Sequence, residues 1–230
     1  MSINWYNVDA LDEFAKPVPA RESWCKVLVV DLRDPRLLPM LAPSPGPNDF
    51  RDEARPATND RLYFLARRAL TRSLVGVLAS IPGENVRVIY DDDGAPQVDF
   101  PDGFFVSLSG HGPYAMIAVA NRRCGVDFEP LQDDLVPVPD VLHPQEQVWL
   151  EQFSGAERSH NFLRIWTAKE AYLKALGRGF LDDPREVCIS ISSGVAAILD
   201  RIAVDLDASF RNLALDGASI VAAGVLLRDR

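Results

Sequence analysis

The sequence lacks the features of a secreted, disulfide-bonded or membrane-spanning protein. Only three of its 230 residues are cysteine, an odd number at scattered positions (Cys25, Cys124 and Cys188), which indicates reduced packing residues rather than a disulfide framework. The longest apolar stretch, from Ala218 to Leu227, is far shorter than the roughly 20 residues of a membrane span. No basic segment followed by an apolar core opens the sequence, so no secretory signal is expected. We therefore expect a cytoplasmic protein with no membrane partner.

An excess of basic residues is also missing. The 24 Lys and Arg residues are outnumbered by 33 Asp and Glu residues, which gives a net charge of −9. A nucleic-acid-binding protein needs a basic face to neutralise phosphates, so no nucleic-acid partner is expected. Local basic clusters that could bind a phosphorylated small ligand remain, at Arg67, Arg68 and Arg72, at Arg122 and Arg123, and at Lys169, Lys174 and Arg178.

The hydrophobic pattern predicts an α+β protein with one long helix in each half. The first helix is predicted from Asn59 or Asp60 to about Ala79, and the second from about Ala156 to Leu176, ended by Gly177 as a C-cap. A shorter helix is predicted over 144–153. Short strands surround the helices, and they are predicted at 24–32, 86–90, 97–100, 104–108, 115–120, 123–129, 187–192 and 220–227.

Turn and proline signals suggest how these elements are divided. Asp91 to Gly94 is a turn signal between two of the strands, and the proline-rich segments 35–56 and 130–144 are predicted to be irregular. We place an N-terminal half at residues 1–112 and a C-terminal half at residues 113–230.

The segment Gly125-Val126-Asp127-Phe128-Glu129 presents two carboxylates on one face of a strand. Because side chains alternate along a strand, Asp127 and Glu129 share a face about 7 Å apart while Phe128 points to the other. Two carboxylates held in this way repel each other unless a cation lies between them. Taken alone, the pattern also fits a solvated strand end.

A second segment, Trp166 to Lys174 (WTAKEAYLK), lies on the second long helix and is followed by Gly177-Arg178-Gly179. Trp166, Glu170 and Lys174 have i, i+4, i+8 spacing and fall on one side of that helix. Taken alone, this spacing also fits an ordinary Glu–Lys pair on a solvated helix face.

Together the two segments resemble the surfactin-synthetase-type 4'-phosphopantetheinyl transferase family. The pattern W-x-x-K-E-A-x-x-K-x-x-G-x-G begins about forty residues after G-V-D-x-E. Upstream, the segment Asp60 to Arg72 resembles the family's D-R-x-x-F-L-x-x-R-A-L-x-R helix, and Ser107-Leu108-Ser109 resembles its S-L-S-H strand. The resemblance covers about residues 60–180.

This resemblance implies a fold, a reaction and partners. The implied fold is a pseudo-dimer of two similar halves, each a small, mostly antiparallel sheet packed on a long helix. The implied reaction moves the phosphopantetheine arm of coenzyme A to a serine of an acyl, polyketide or peptidyl carrier protein and releases 3',5'-ADP. A monomer is expected. Two alternatives stay open: a non-catalytic relative that binds coenzyme A or a carrier protein, and a carboxylate-metal hydrolase of phosphate esters.

The same resemblance assigns roles to individual residues. Asp127, Glu129 and Glu170 would bind Mg²⁺, and Glu170 would act as the general base. Lys174 would stabilise charge on the pyrophosphate of coenzyme A. Lys169 would contact a phosphate from the rim of the helix.

Further assignments concern the 3'-phosphate of coenzyme A and the carrier protein. Arg72, assisted by Ser109, would bind the 3'-phosphate, and the segment 131–149 would form a docking loop for the carrier. The sequence departs from the family at two positions. Ala95 replaces the lysine of the family's G-K-P turn, and Gly110 replaces the histidine that follows Ser109. His111, displaced by one position, would recover the phosphate contact of that histidine.

Overall fold

A computed structural model describes residues 2–18, 22–41, 59–91, 94–177, 183–192, 195–199 and 205–228. The chain divides into two compact units, Met1–Arg123 and Cys124–Arg230. Some sequence predictions fall outside the described residues, namely most of the proline-rich segment (42–58), two residues of the predicted turn (Asp92 and Asp93) and the motif residues Arg178 and Gly179. Within the described ranges, no helix combines the length and the hydropathy that crossing a membrane requires.

Unit 1 contains a four-stranded sheet, a two-stranded hairpin and one long helix. Its elements are β1 (Ser2–Tyr6), α1 (Leu11–Phe14), β2 (Trp24–Asp31), α2 (Asn59–Ala79), β3 (Arg87–Tyr90), β4 (Pro96–Phe100), β5 (Phe105–His111) and β6 (Tyr114–Ala120). The sheet has the order β1-β2-β6-β5, with β1 parallel to β2 and the other pairs antiparallel. Strands β3 and β4 form the hairpin. Strand β1 is the one strand of this unit that the hydrophobic pattern did not predict.

The core of unit 1 lies between α2 and one face of the sheet. Alternate residues of β2 point to the same face, and Leu28 and Val30 pack with Leu70 and Leu74 of α2. The helix predicted from its apolar stripe is thus confirmed, and burial of that stripe supplies most of the stability of an amphipathic helix.

Unit 2 contains a three-stranded antiparallel sheet, a hairpin and two helices. Its elements are β7 (Cys124–Pro130), α3 (Pro144–Leu150), α4 (Gly155–Leu176), β8 (Cys188–Ser192), β9 (Val195–Leu199), β10 (Leu206–Leu215) and β11 (Ala218–Leu227). The sheet has the order β10-β11-β7, and β8 pairs with β9. Helix α4 ends where the sequence predicts, because Gly177 adopts the left-handed conformation with φ of 68°. Strands β9 and β10 lie between the predicted strands 187–192 and 220–227, in a set of strands whose inner members were predicted without bounds.

The predicted α+β class is confirmed, and the two compact units divide at a later position in the chain than the predicted boundary. Each unit has one long helix, of 21 residues in α2 and 22 in α4, beside a largely antiparallel sheet. The compact units divide between Arg123 and Cys124 and not at the predicted 112/113. The reason is that β6 pairs with β2 on one side and with β5 on the other, so it is an inner strand of the first sheet.

Candidate functional site

The two carboxylates of β7 lie on the face of the strand that α4 covers. Gly125, Asp127 and Glu129 alternate onto one side of β7. At Gly125 this side touches the helix backbone so closely that a Cβ atom there would lie 1.8 Å from the carbonyl oxygen of Ala171. Ala223, the partner of Asp127 across the antiparallel pair, belongs to the core that packs on α4. The strand therefore directs both carboxylates toward the helix that carries the second motif.

Lys174 of α4 joins the helix to Asp127. Its Nζ donates a hydrogen bond to Asp127 Oδ1 at 2.7 Å and to the carbonyl oxygen of Val126 at 3.2 Å. The Asp127 side chain is 7% exposed and that of Lys174 is 30% exposed. The ammonium thus supplies a positive charge to a buried carboxylate while part of its side chain faces solvent.

Glu170 completes the cluster one helical turn before Lys174. Burial is the main cause that raises the pKa of this carboxyl from 4.5 to about 7, and the charges of Asp127 and Glu129 raise it further against the lowering effect of Lys174. Its Oε1 atom is buried and has no hydrogen-bond partner among the described residues. A carboxylate oxygen in that state is unfavourable unless a proton or a cation joins it.

The chemistry of this cluster fits a hard divalent cation, although the side chains are not arranged as a closed metal site. Mg²⁺ prefers carboxylate oxygens and keeps open positions for water and phosphates, and Glu170 offers a buried oxygen that no described residue hydrogen-bonds. Across the described part of the chain, no three acidic, histidine or cysteine side chains stand close enough together to hold an ion. Asp127 forms an ion pair with Lys174, which takes the place that a cation would otherwise have beside this carboxylate.

Lys169 lies away from this cluster, in contrast to its predicted contact with phosphate. It is fully buried, and its Nζ donates to the carbonyl oxygens of Val141 and Pro184, both at 2.8 Å, and pairs with Glu146 Oε2 at 2.7 Å. Burial lowers the pKa of Lys169, and the hydrogen bond to Glu146 opposes that effect. The structure therefore gives Lys169 no exposed surface with which to contact coenzyme A.

The predicted coenzyme A residues of unit 1 lie on two different elements. Arg72 is a buried residue of α2, 4% exposed. Ser109 and His111 share one face of β5, opposite to the face of Val106 and Leu108 that packs in the core with α2. Ser109 is half-buried, whereas His111 is exposed at the end of the strand.

The departure from the family at Gly110 has a local explanation in unit 1. The side chain of Arg67 lies across Gly110, where an added Cβ would come within 2.3 Å of Arg67 Nε. Arg67 Nη2 donates to the carbonyl oxygen of Gly112 at 2.7 Å. A histidine side chain at position 110 would occupy the space that the Arg67 side chain fills. The glycine at position 110 and the position of Arg67 therefore depend on each other.

Sequence reasoning missed two residues that shape the site, although each carries a signal. Glu146, the partner of Lys169, is the third helical residue of α3 in a capping box with His143 and with Pro144 at the first position. That H-P-x-E spacing marks a helix start. Gly125 is a glycine inside a strand, which often marks a close approach of another backbone.

Known proteins with similar sequences are 4'-phosphopantetheinyl transferases. A sequence model of the 4'-phosphopantetheinyl transferase superfamily matches residues 123–221. Among curated proteins, the chain is 31% identical over 117 residues to the 4'-phosphopantetheinyl transferase gsp of Aneurinibacillus migulanus, which covers 50% of this chain and 48% of that protein. It is 32% identical over 126 residues to the 4'-phosphopantetheinyl transferase HetI of Nostoc sp., which covers 52% and 53% respectively. The chain thus spans about half the length of these two relatives.

Among solved structures, this chain is similar to a holo-(acyl-carrier-protein) synthase from Bacillus anthracis in complex with coenzyme A. The similar region covers 46% of this chain and 96% of the synthase chain. The sequence identity is 18% and the TM-score is 0.38.

Proposed function

We propose that the chain, whose residues 123–221 match the model of the 4'-phosphopantetheinyl transferase superfamily, transfers the phosphopantetheine arm of coenzyme A to a serine of a carrier protein. The product besides the loaded carrier is 3',5'-ADP. The observation that carries this proposal is the cluster formed where β7 meets α4, in which Lys174 pairs with Asp127 and the pKa of Glu170 is raised by burial and further by the charges of Asp127 and Glu129.

Three carboxylates of this cluster are proposed to hold the metal ion. Asp127, Glu129 and Glu170 supply the oxygen ligands that Mg²⁺ prefers. A cation bound there would neutralise negative charge on the pyrophosphate of coenzyme A, which is the main requirement of phosphoryl transfer. Burial is the main cause of the raised pKa of Glu170, and the charges of Asp127 and Glu129 add to it; a cation bound there would relieve the repulsion between these carboxylates, which supports this role.

Glu170 and Lys174 are proposed to act on the reacting groups. Without a metal ion the pKa of the Glu170 carboxyl is about 7, so this side chain takes up a proton readily near neutral pH, and we assign it as the base that takes the proton of the serine hydroxyl. Among the described residues, Lys174 directs two of its three ammonium donors to Asp127 and to the Val126 carbonyl. Its partly exposed side can therefore offer the third donor to a phosphate oxygen.

Arg72 of α2 is proposed to bind the 3'-phosphate of coenzyme A, without the predicted help of Ser109, because Ser109 lies on the face of β5 opposite to the face that packs with α2. The planar guanidinium of arginine can donate two hydrogen bonds to one phosphate. The Arg72→Ala variant should raise the Michaelis constant for coenzyme A and leave kcat less affected. An unchanged Michaelis constant would remove Arg72 from this role.

The segment 131–149 is proposed to dock the carrier protein. It exposes apolar side chains, with Val136 78% exposed and Val138 48% exposed, and Val148 of α3 is 63% exposed. The segment is held in place by the Ser159 hydroxyl, which donates to the carbonyl oxygen of Leu135 at 2.8 Å. Exposed apolar residues on a fixed backbone suit a partner surface, because little order has to be gained on binding.

The decisive experiment measures transfer directly. The protein is incubated with coenzyme A, Mg²⁺ and a panel of apo carrier proteins, and each carrier is weighed by intact mass spectrometry. We expect a mass gain of one phosphopantetheine unit that disappears with EDTA and in the Asp127→Ala variant. Asp102→Ala, which removes an exposed carboxylate of unit 1, is the matched control and should leave the gain unchanged.

Two outcomes would contradict the proposal. If no carrier gains mass while calorimetry still detects binding of coenzyme A, the chain is a non-catalytic binder. If coenzyme A is cleaved without a carrier present, the chain is a hydrolase.

A further inference from the structure

Lys169 is the best-satisfied charged residue of the candidate motif, and its partners lie on three separate parts of unit 2. Its three donors match three acceptors, the carbonyl oxygens of Val141 and Pro184 and the carboxylate of Glu146, at 2.7 to 2.8 Å. Because a lysine ammonium has three N–H donors and no more, none is left for a phosphate oxygen.

Glu146 extends these contacts to two further backbone positions. Its Oε1 accepts a hydrogen bond from the amide of Ile189 at 2.7 Å, and its Oε2 accepts one from the amide of His143 at 2.7 Å. The side chains of Glu146 and Lys169 are each 1% exposed. One buried ion pair therefore ties α4 to the end of the segment 131–143, to the start of α3 and to the start of β8.

The position of Lys169 on α4 lets this ion pair influence the orientation of the carboxylate cluster. Consecutive residues of a helix are turned by about 100°, so Lys169 fixes one side of α4 while Glu170, the next residue, faces the cluster with Asp127. On the cluster side, Lys174 holds the same helix to Asp127 at 2.7 Å. The rotation of α4 about its own axis is thus set from two directions, and that rotation aims the Glu170 carboxyl.

We propose that Lys169 and Glu146 are positioning residues that fix the rotation of α4, and hence the direction of Glu170, and that Lys169 does not bind coenzyme A. This inference rests on the proposed transferase activity. It predicts that Glu146, whose side chain is 1% exposed, is as important for turnover as Lys169.

The experiment compares three variants, Glu146→Gln, Lys169→Gln and the double variant. Each single change leaves one buried charge without its partner, whereas the double change removes both charges and keeps amide groups that can hydrogen-bond. We expect kcat to fall by about 10- to 100-fold in both single variants, as for a misplaced catalytic group. The Michaelis constant for coenzyme A and its Kd from calorimetry should stay within about twofold of the original values. In the double variant we expect kcat to recover by about 10-fold.

A stability control separates positioning from general weakening. Loss of one partner of a buried pair should lower the Tm of each single variant by about 6–20 °C, so the assays are run well below those temperatures. Val30→Ala removes buried side-chain volume from β2 of unit 1 and should lower the Tm without lowering kcat. A fall in kcat in this control equal to that of Glu146→Gln would overturn the inference.

The opposite pattern would also overturn it. If Lys169 binds phosphate, Lys169→Gln weakens coenzyme A binding, Glu146→Gln does not, and the double variant is no better than Lys169→Gln. Lys169→Arg, which keeps the charge, serves as a second variant if the glutamine variant does not fold.

Failure of the transferase proposal can be told apart from failure of this inference. If the unaltered protein transfers nothing to any carrier, hydrogen exchange still reports on the pair. The amides of His143 and Ile189 should then be protected in the unaltered protein and should exchange about tenfold faster or more in Lys169→Gln. Unchanged exchange at both amides would refute the proposed anchor whether or not the protein is a transferase.

Discussion

Raising the pH in the absence of metal should destabilise the folded protein through Glu170. Burial is the main cause that raises the pKa of this carboxyl from 4.5 to about 7, and the charges of Asp127 and Glu129 add to it. Between these two pH values the folded protein keeps the proton, whereas the unfolded chain has lost it. The stability from the protonated group is therefore fully present below pH 4.5 and is lost as the pH rises through about 7.

The size of this effect follows from the two pKa values. The difference between 4.5 and about 7 corresponds to at most about 3 kcal/mol of unfolding free energy. Glu170 is half-buried, so solvent screening should reduce the effect to about 1–2 kcal/mol. For a chain of this length such a change lowers the Tm by about 2–8 °C.

The assay is thermal unfolding followed by circular dichroism across this pH range, with EDTA present, for the unaltered protein and for Glu170→Gln. The glutamine cannot ionise, so the difference in Tm between the two proteins isolates Glu170 from all other titrating groups. A parallel pair of curves would refute the reasoning, because it would mean that Glu170 titrates alike in the folded and unfolded states.

Adding Mg²⁺ extends the same test to the proposed metal site. A cation at the carboxylates competes with the proton on Glu170, so Mg²⁺ should raise the Tm more at the upper end of the pH range than at the lower end. In Glu170→Gln this pH dependence should be absent. Stabilisation by Mg²⁺ that is equal at all pH values and in both proteins would place the ion elsewhere.

Three further substitutions test single contacts. Gly125→Ala should lower the unfolding free energy by about 1–3 kcal/mol in urea denaturation, because the new Cβ would lie 1.8 Å from the carbonyl oxygen of Ala171. Gly110→Ala should lower it by about 0.5–1.5 kcal/mol by displacing Arg67, and the loss should disappear in an Arg67→Ala background. Ser159→Ala should weaken the proposed docking segment, seen as faster hydrogen exchange in residues 133–138 and a higher Michaelis constant for the carrier.

Other outcomes for these three substitutions would contradict the contacts on which the predictions rest. A Gly125→Ala protein of unchanged stability would mean that α4 can move away from β7 without loss. Additive effects of the Gly110 and Arg67 changes would mean that the two residues do not share one space. Unchanged exchange in Ser159→Ala would mean that other contacts hold the segment.

The local pattern of the sequence was sufficient to predict the long elements. The apolar stripe of α2 and the glycine that ends α4 give helices at Asn59–Ala79 and Gly155–Leu176, because side-chain spacing and backbone conformation are properties of neighbouring residues. The resemblance to the transferase family implied that Asp127 meets the second motif, whereas alternation along β7 and the turn of α4 predicted only that each motif puts its charged groups on one side. Strand β1 was missed, and the bounds of β10 within the last set of strands were not predicted, because much of their length is neither strongly apolar nor regularly alternating.

Tertiary structure alone decided which charged residues face each other. In the sequence, Lys169 and Lys174 are two lysines of one motif, yet Lys169 is enclosed by Glu146 and two carbonyl oxygens while Lys174 reaches Asp127. The partners of Lys169 come from segments up to 28 residues away, and no local pattern encodes such contacts. The same holds for Gly110, whose missing side chain has meaning only because Arg67 of α2 fills its space. Sequence determined the elements and the chemical groups they carry, and packing determined which of those groups are free to act.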